Sequence, residues 1–325
     1  MQNKPKYLYL QILKFKKLEK RYNSASAHIK NIFEQRVQKV AVDAGFSCPN
    51  RDGKKGRGGC TYCNNDTFKP FYTSSQKSVT EQINEGISFF AKKYKAIKFL
   101  AYFQAFTNTY APLSELKKLY AEALKHPQVV GLVISTRPDC VDAEKLDYLQ
   151  KLSEKYYIVI EYGLESTNDD SLLKINRLHT FEEAKNAIMM TAERKITTGA
   201  HLIIGLPGET KTDILEHAKK ISDLPITMLK LHQLQIIKGT KMARQYSENP
   251  ENFDLFTSER YIDLMVDFLE LLNPKIMIER FTSESPKDML IAPNWGGLKN
   301  FEIVHKIEKK LVERNTWQGK KLINN

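Results

Sequence analysis

The chain of 325 residues has only four cysteines and two tryptophans, and no long run of uncharged apolar residues. Because a membrane-spanning helix needs roughly 18 or more such residues in a row, the missing run argues against a membrane protein. The lysine-rich start of the chain also lacks the apolar core and the small-residue cleavage site of a secretory signal. We therefore expect a cytoplasmic protein, in which four cysteines make a poor disulfide framework.

Histidine is missing from the neighbourhood of the cysteines. Cys48, Cys60 and Cys63 lie close together, whereas His28 is 20 residues before Cys48 and His126 is 63 residues after Cys63. A structural zinc site normally has four protein ligands, but an iron of a 4Fe-4S cluster without a cysteine is open to an outside ligand. The three thiols therefore predict an iron–sulfur centre, with a zinc knuckle or a redox dithiol at Cys60 and Cys63 as alternatives. We expect the fourth cysteine, Cys140, to be a small buried residue.

The charge of the chain is strongly positive. Lysine and arginine number 50 against 38 acidic residues, so the formal net charge is +12. A basic surface attracts polyanions, and in the first 40 residues aromatic side chains alternate with the lysines, as in some nucleic-acid-binding segments. An amphipathic helix that packs its aromatic residues on the core would give the same pattern.

Short apolar runs alternate with amphipathic stretches over most of the chain. This pattern predicts strands that are each followed by a helix, and connections of this kind join parallel strands. The predicted strands are VQKVAVD, IKFLAYF, VVGLVIS, YIVIEYG, TGAHLIIGL and TMLKLHQLQII. We expect an α/β fold, a partial (β/α)6 TIM-type barrel with a basic extension at 1–36, a core at 37–272, and an extension at 273–325 that covers the barrel. A doubly wound sheet would show the same pattern.

Unusual residues follow the predicted strands, at the strand ends where β/α barrels carry their functional loops. The cysteine loop follows the first strand, FQAFTNTYAP the second, and STRPD the third. EYGLES ends the fourth strand, and GLPGET follows the fifth. We interpret Arg137 and Asp139 of the third loop as a buried structural pair.

The cysteine loop, CPNRDGKKGRGGCTYC, resembles that of a branch of the radical S-adenosylmethionine superfamily often called YhcC-like. Eleven residues separate Cys48 from Cys60, a wider gap than the family's common C-x-x-x-C-x-x-C spacing, and one that this branch and the related elongator catalytic subunit also show. The stretches EYGLES, NRLHT and LPGET are similar to runs in the elongator subunit and in oxygen-independent coproporphyrinogen oxidases.

The resemblance implies a mechanism and a set of binding residues. Cys48, Cys60 and Cys63 would hold a 4Fe-4S cluster that cleaves S-adenosylmethionine to a 5'-deoxyadenosyl radical, with an electron donor such as flavodoxin or ferredoxin. Arg177 would bind the methionine carboxylate, because a guanidinium matches a carboxylate bidentately. The other implied cofactor contacts are Tyr62, Gln104, Asn108, Glu161, Glu165 and His201. Where the family usually has a Gly-Gly-Glu-Pro-like run, this chain has QAFTN, which leaves Gln104 and Asn108 only loosely assigned.

The substrate is open at this stage. The basic start of the chain and the elongator-like stretches favour RNA, and specifically tRNA. A small anionic metabolite or a tetrapyrrole is the rival substrate class for a radical enzyme. A zinc-dependent nucleic-acid-binding protein is the non-enzymatic alternative.

Overall fold

The protein is described by a computed structural model that covers residues 20–93 and 97–322. The predicted amino-terminal extension, 1–36, therefore lies largely outside the described residues.

The strands of the described ranges carry the alternating apolar runs of the sequence. They are β1 (Val37–Val42), β2 (Lys98–Phe103), β3 (Val129–Thr136), β4 (Tyr157–Glu165), β5 (Thr197–Ile204), β6 (Met228–Gln233), β7 (Ile236–Ile237), β8 (Met277–Arg280) and β9 (Leu290–Ala292).

The helices follow the amphipathic stretches. They are α1 (Ala25–Phe33), α2 (Val79–Lys93), α3 (Leu113–Leu124), α4 (Ala143–Ser153), α5 (Asp169–Lys174), α6 (Phe181–Glu193), α7 (Lys211–Ser222), α8 (Lys241–Glu248), α9 (Ser258–Leu271) and α10 (Asn300–Glu313).

Within the described residues, one sheet contains seven strands in the order β1-β2-β3-β4-β5-β6-β8. The order follows the chain without a reversal, whereas a doubly wound sheet has a switch point at which the order reverses. The fold is therefore an α/β fold of the partial TIM-type barrel class, as predicted. The last predicted apolar run is divided between β6 and β7, and the short strand β8 was not predicted.

The chain divides into two compact units. The cysteine-loop unit contains residues 26–164 and 176–200, and the carboxy-terminal unit contains, among the described residues, 20–25, 165–175 and 201–322. No helix in the described part of the chain combines the length and the apolar character needed to cross a bilayer.

In the cysteine-loop unit, the strands present an apolar face to the helices. Phe103 of β2 packs edge-on against Tyr120 of α3, with ring centroids 5.1 Å apart. The hydroxyl of Tyr162 on β4 lies 2.7 Å from that of Thr191 on α6. Since side chains alternate along a strand, Tyr102 and Glu161 point to the opposite face. That face carries polar side chains among apolar ones, and most of it is buried.

Two helices begin with capping boxes, directly after the loops that contain Arg177 and the LPGET stretch. Thr180 caps α6 with Glu183, and Thr210 caps α7 with Asp213. In each pair the side chain of one residue bonds the backbone N–H of the other, which fixes where the helix starts. The loops that precede α6 and α7 are thereby held at one end.

Candidate metal centre and cofactor site

The cysteine loop folds back on itself between Cys48 and Cys60. The backbone N–H of Arg51 donates to the carbonyl of Cys48 (2.7 Å), and that of Gly59 donates to the carbonyl of Asn50 (2.8 Å). Gly58 and Gly59 both have φ near +80°, a backbone conformation that glycine adopts at little cost. These two glycines therefore allow the backbone to turn tightly just before Cys60.

The three thiols of the loop lie close enough to influence one another. Burial, followed by the charge of Cys60, raises the pKa of Cys63 to about 11, and Cys48 adds to the effect. A hydrogen bond from Arg51 acts against this rise. A bound cation would stabilise the thiolate form of Cys63, which burial disfavours in its absence.

N–H donors point at two of the three sulfurs. Nδ2 of Asn50 lies 3.6 Å from Sγ of Cys60, and Nη1 of Arg177 lies 3.5 Å from the same sulfur. Nδ2 of Asn65 lies 3.9 Å from Sγ of Cys63. Hydrogen bonds to the sulfurs are among the factors that set the potential of an iron–sulfur cluster. The donors therefore suit thiolate ligands at Cys60 and Cys63, although no three His, Cys, Asp or Glu side chains of the described residues are already arranged to hold a metal ion.

Arg177 lies in a segment that docks onto the cysteine loop. Nδ2 of Asn176 donates to the carbonyl of Gly59 (2.9 Å), and Nδ2 of Asn50 donates to the carbonyl of Asn176 (2.5 Å). Asn176 and Leu178 both have positive φ, near 55°. This backbone turns the Arg177 side chain inward, and only 6% of the residue is exposed.

His179 fixes the orientation of the Arg177 guanidinium. Nε of Arg177 donates to Nε2 of His179 (2.9 Å), so the ring proton lies on Nδ1, which is 3.1 Å from the carbonyl oxygen of Thr180. Burial and the positive charges of Arg177 and Arg137 lower the pKa of His179 to about 3. The imidazole is therefore neutral and acts as an acceptor for Arg177.

Arg137 and Asp139 form the buried pair expected from the sequence, and the pair also holds the cysteine loop. Nε and Nη2 of Arg137 bind the two oxygens of Asp139 at 2.8 and 2.9 Å. Nζ of Lys55, in the cysteine loop, lies 2.6 Å from Oδ2 of Asp139. Cys140 is buried, as expected, and its thiol lies 3.7 Å from Oδ1 of Asp139.

Glu161 is almost fully buried on the face of the strands that also carries Tyr102. One carboxylate oxygen lies 2.8 Å from Nζ of Lys39 on β1, and the other accepts from Oγ of Ser135 on β3 (3.0 Å). The hydroxyl of Tyr102 lies 3.1 Å from the same Ser135 oxygen. Among the predicted site residues, Glu161 is therefore part of a network that links β1, β2, β3 and β4.

The loop after β2 contains Gln104 and Asn108, two of the predicted cofactor contacts. Asn108 is fully buried, donates through Nδ2 to the carbonyl of Ser135 (2.8 Å), and accepts through its carbonyl from Tyr120. Its Oδ1 atom is buried and has no hydrogen-bond partner among the described residues. Gln104 is partly exposed, as is Tyr62 in the cysteine loop. A buried orphan acceptor such as Oδ1 of Asn108 can receive a donor from a ligand.

In the carboxy-terminal unit, Glu165 ends β4 with a φ of 71°, a conformation that is unusual for a residue other than glycine. The next residue, Ser166, donates to Oε1 of Glu209 (2.7 Å), which also lies 3.2 Å from Nε2 of His217. Nδ1 of His217 lies 2.7 Å from the hydroxyl of Thr167. Glu209 and His217, neither of which was predicted as a site residue, thus fix the segment that follows Glu165.

The remaining predicted residue, His201, is partly exposed on β5 of the carboxy-terminal unit, and it contributes to the lowered pKa of His232 on β6. The same unit contains a cavity of about 530 Å³. Gln233, Gln235, Trp295 and Lys299 are among its lining residues. The cavity is thus formed by the end of β6 together with the predicted 273–325 extension.

The chain belongs to the radical S-adenosylmethionine superfamily. The family model described as "Radical SAM superfamily" matches residues 52–221, and the model of its C-terminal domain matches residues 226–313. The first match includes Cys60 and Cys63 and begins after Cys48. The protein is therefore a radical S-adenosylmethionine enzyme, as predicted.

Several known proteins are similar to this chain. YtqA of Bacillus subtilis is 35% identical over 98% of this chain and 96% of its own length. YhcC of Escherichia coli K12 is 33% identical over 86% of this chain and 88% of its own length. A tRNA uridine(34) acetyltransferase of Dehalococcoides mccartyi is 25% identical over 61% of this chain but only 42% of its own length.

Among solved structures, the archaeal Elp3 of Methanocaldococcus infernus has the same fold, with a TM-score of 0.67 and 16% identity. This chain covers 64% of the Elp3 chain, and 87% of this chain is matched. The predicted resemblance to the YhcC-like branch and its elongator relatives is confirmed.

Proposed function

We propose that Cys48, Cys60 and Cys63 hold a 4Fe-4S cluster and that the protein uses it to cleave S-adenosylmethionine. The observation that carries the proposal is the set of N–H donors from Asn50, Asn65 and Arg177 directed at the cysteine sulfurs. When bound, a reduced cluster supplies the electron that splits the sulfonium into methionine and a 5'-deoxyadenosyl radical. The residues of the chain supply binding, orientation and electrostatics.

The contacts to S-adenosylmethionine are part of this proposal. In the cysteine-loop unit, Oδ1 of Asn108 would accept from the amino group of the methionine part, because it is buried and lacks a described partner. Gln104, Glu161 and Tyr62 are further candidates in that unit. Arg177 would orient a carboxylate while also donating to Cys60. Glu165 and His201 are the candidates of the carboxy-terminal unit.

Anaerobic reconstitution with iron and sulfide tests the proposal. We expect a brown protein with about four irons per chain that forms 5'-deoxyadenosine from S-adenosylmethionine when dithionite or a reduced flavodoxin or ferredoxin is added. A variant that lacks all three loop cysteines is the control and should remain colourless. Wild-type protein that stays free of iron would contradict the proposal, and one bound zinc per chain would favour the zinc alternative.

We further propose that the substrate is a tRNA. The net charge of +12 suits a polyanion, and one relative of the chain is named as a tRNA uridine(34) acetyltransferase. Purified protein should retain tRNA with an affinity that falls as salt increases. In the reaction, deuterium from a labelled substrate should appear in 5'-deoxyadenosine. Transfer from a tetrapyrrole or a small anionic metabolite, and not from tRNA, would instead support the rival substrate class.

A further inference from the structure

One face of β6 in the carboxy-terminal unit carries two basic side chains. Leu229 and Leu231 are completely buried, and Lys230 and His232 alternate with them along the strand. Because successive side chains of a strand point to opposite faces, Lys230 and His232 share one face. One side of β6 therefore carries Leu229, Leu231 and Gln233, and the other carries Met228, Lys230 and His232.

An irregularity in the pairing of β6 with β8 adds a third basic side chain to this face. Leu229 pairs with Ile278, but Lys230 pairs with Arg280, so Glu279 is the extra residue of a bulge. Paired residues of a parallel ladder point to the same side, which places Arg280 beside Lys230. Bulges commonly re-aim side chains in this way. The carboxylate of Glu279, the residue left out of the strand pairing, lies 3.3 Å from Nζ of Lys230.

Arg280 has no such counter-charge. Within the described ranges, no carboxylate lies within ion-pair distance of its guanidinium, and its Nε atom is buried without a hydrogen-bond partner. The Arg280 residue as a whole is partly exposed, but a buried N–H of a charged group that lacks a partner is costly and commonly marks the place of an ion, a water or a ligand. The Arg280 guanidinium is therefore the centre of a candidate site.

The electrostatics of the neighbouring His232 agree with this geometry. Burial lowers the pKa of His232 well below its usual value, and the charges of Arg280, His201 and Lys230 lower it further. Lys230, His232 and Arg280 therefore share one face, on which Glu279 offsets the charge of Lys230 while the charge of Arg280 has no counter-charge among the described residues. A neutral imidazole can still donate one N–H to a ligand.

We infer that Arg280 and His232, with Lys230 beside them, form a binding site for an oxyanion, either a carboxylate or a phosphate group of the substrate. A guanidinium presents a fork of N–H donors that fits both groups. The inference deepens the proposed function, and it rests on that function only in assigning the oxyanion to the enzyme's substrate.

Calorimetric titration of the full, anaerobically reconstituted chain tests the site, with inorganic phosphate and acetate as separate probes at constant ionic strength. We expect saturable binding of at least one probe. Arg280→Gln should weaken it by about tenfold or more, because a hydrogen bond to a charged group is lost. Preference for phosphate would identify a phosphorylated or nucleic-acid substrate, and preference for acetate a carboxylate.

Two further variants keep the result interpretable. Arg244→Gln is the matched control, since Arg244 is exposed on α8 of the same unit. This variant should bind phosphate and acetate with the affinity of the wild type. If Arg280→Gln loses its unfolding transition, His232→Gln takes its place, and roughly threefold weaker binding is expected from the lost imidazole. Wild-type protein that binds neither ion would overturn the inference, and so would Arg280→Gln or His232→Gln protein that binds as tightly as wild type.

The same preparations separate this inference from the proposed function. Formation of 5'-deoxyadenosine from S-adenosylmethionine is measured on wild-type protein alone. Its absence would count against the radical chemistry, while the titrations would still decide the oxyanion site.

Discussion

Arg177 donates through Nη1 to Sγ of Cys60 at 3.5 Å, while its Nε donates to the neutral ring of His179. The guanidinium thus places a positive charge and an N–H donor against a proposed cluster ligand. Both effects stabilise added negative charge on a cluster, so they favour reduction.

Arg177→Gln should therefore make the midpoint potential of the cluster more negative, on the order of tens of millivolts. Arg177→Lys, which keeps the charge but loses the fork, should shift it less. A redox titration followed by electron paramagnetic resonance measures the shift, with Arg244→Gln as control. An unchanged potential in Arg177→Gln would show that this contact does not affect the cluster.

Replacement of any loop cysteine should prevent cluster assembly. Cys48→Ala, Cys60→Ala and Cys63→Ala should each remove a cluster ligand. The iron content after reconstitution should therefore fall from about four irons per chain to a small fraction of that amount. Iron and acid-labile sulfide are measured together with the visible absorption.

Cys140→Ser is the control for the cysteine variants, because Cys140 is buried beside Asp139 and is not a proposed ligand. It should retain the iron of the wild type. Iron loss in this variant as large as in the others would show that Cys140 takes part in the metal centre.

The pair of Lys39 and Glu161 should be important for stability. Lys39→Met leaves the buried carboxylate without its ion-pair partner at 2.8 Å and should lower the free energy of unfolding by about 3 kcal/mol. The double variant with Glu161→Gln should recover much of this loss, since no buried charge remains.

Denaturant unfolding measures these effects. Lys185→Met is the matched control, because its partner Glu182 is exposed and such pairs contribute little. Equal losses in the two lysine variants would contradict a special role for the buried pair.

Asp139 should give the fold an acid-dependent stability. Burial alone would raise the pKa of this carboxyl, but the hydrogen bonds and charges of Arg137 and Lys55 outweigh it and hold the pKa well below its usual range. The resulting stabilisation is complete above the carboxyl's ordinary pKa near 4 and is lost as the pH falls below it.

Asp139→Asn should therefore be less stable than wild type at pH 7, and its stability should fall less between about pH 5 and 3. Unfolding of the iron-free chain as a function of pH measures this, so that acid release of iron does not contribute. Asp66→Asn, at an exposed carboxylate, should keep the wild-type profile. If the stability of Asp139→Asn and that of the wild type fell in parallel with pH, Asp139 would not be the source of the acid-dependent stability.

The main strands could be predicted because each is a short apolar run that is followed by an amphipathic helix. Strand β8 escaped prediction since its four residues, MIER, are too few to show an alternation and end in two charges. It exists because β6 offers it a parallel edge. The order of the strands could not be read from periodicity, which is identical for a barrel and a doubly wound sheet.

The candidate site was only partly visible in the sequence. The cysteines stand out by type and spacing, but Asn50 and Asn176 are ordinary loop residues until the fold brings them together across 126 positions. Arg280 is equally inconspicuous, because only the bulge at Glu279 sets it beside Lys230. Contacts that depend on tertiary pairing leave no local pattern.

The hydrogen bond from Asn176 to Gly59 joins residues 117 positions apart, which has a consequence for biogenesis. At a translation rate of about 5–20 residues per second, the ribosome releases the cysteine loop several seconds before Asn176 and Arg177 exist. During that interval the loop lacks the partners that close it and the donor that bonds Cys60. Iron delivered to the finished chain would therefore meet an ordered cradle, whereas iron delivered to the nascent chain would meet three unsupported thiols.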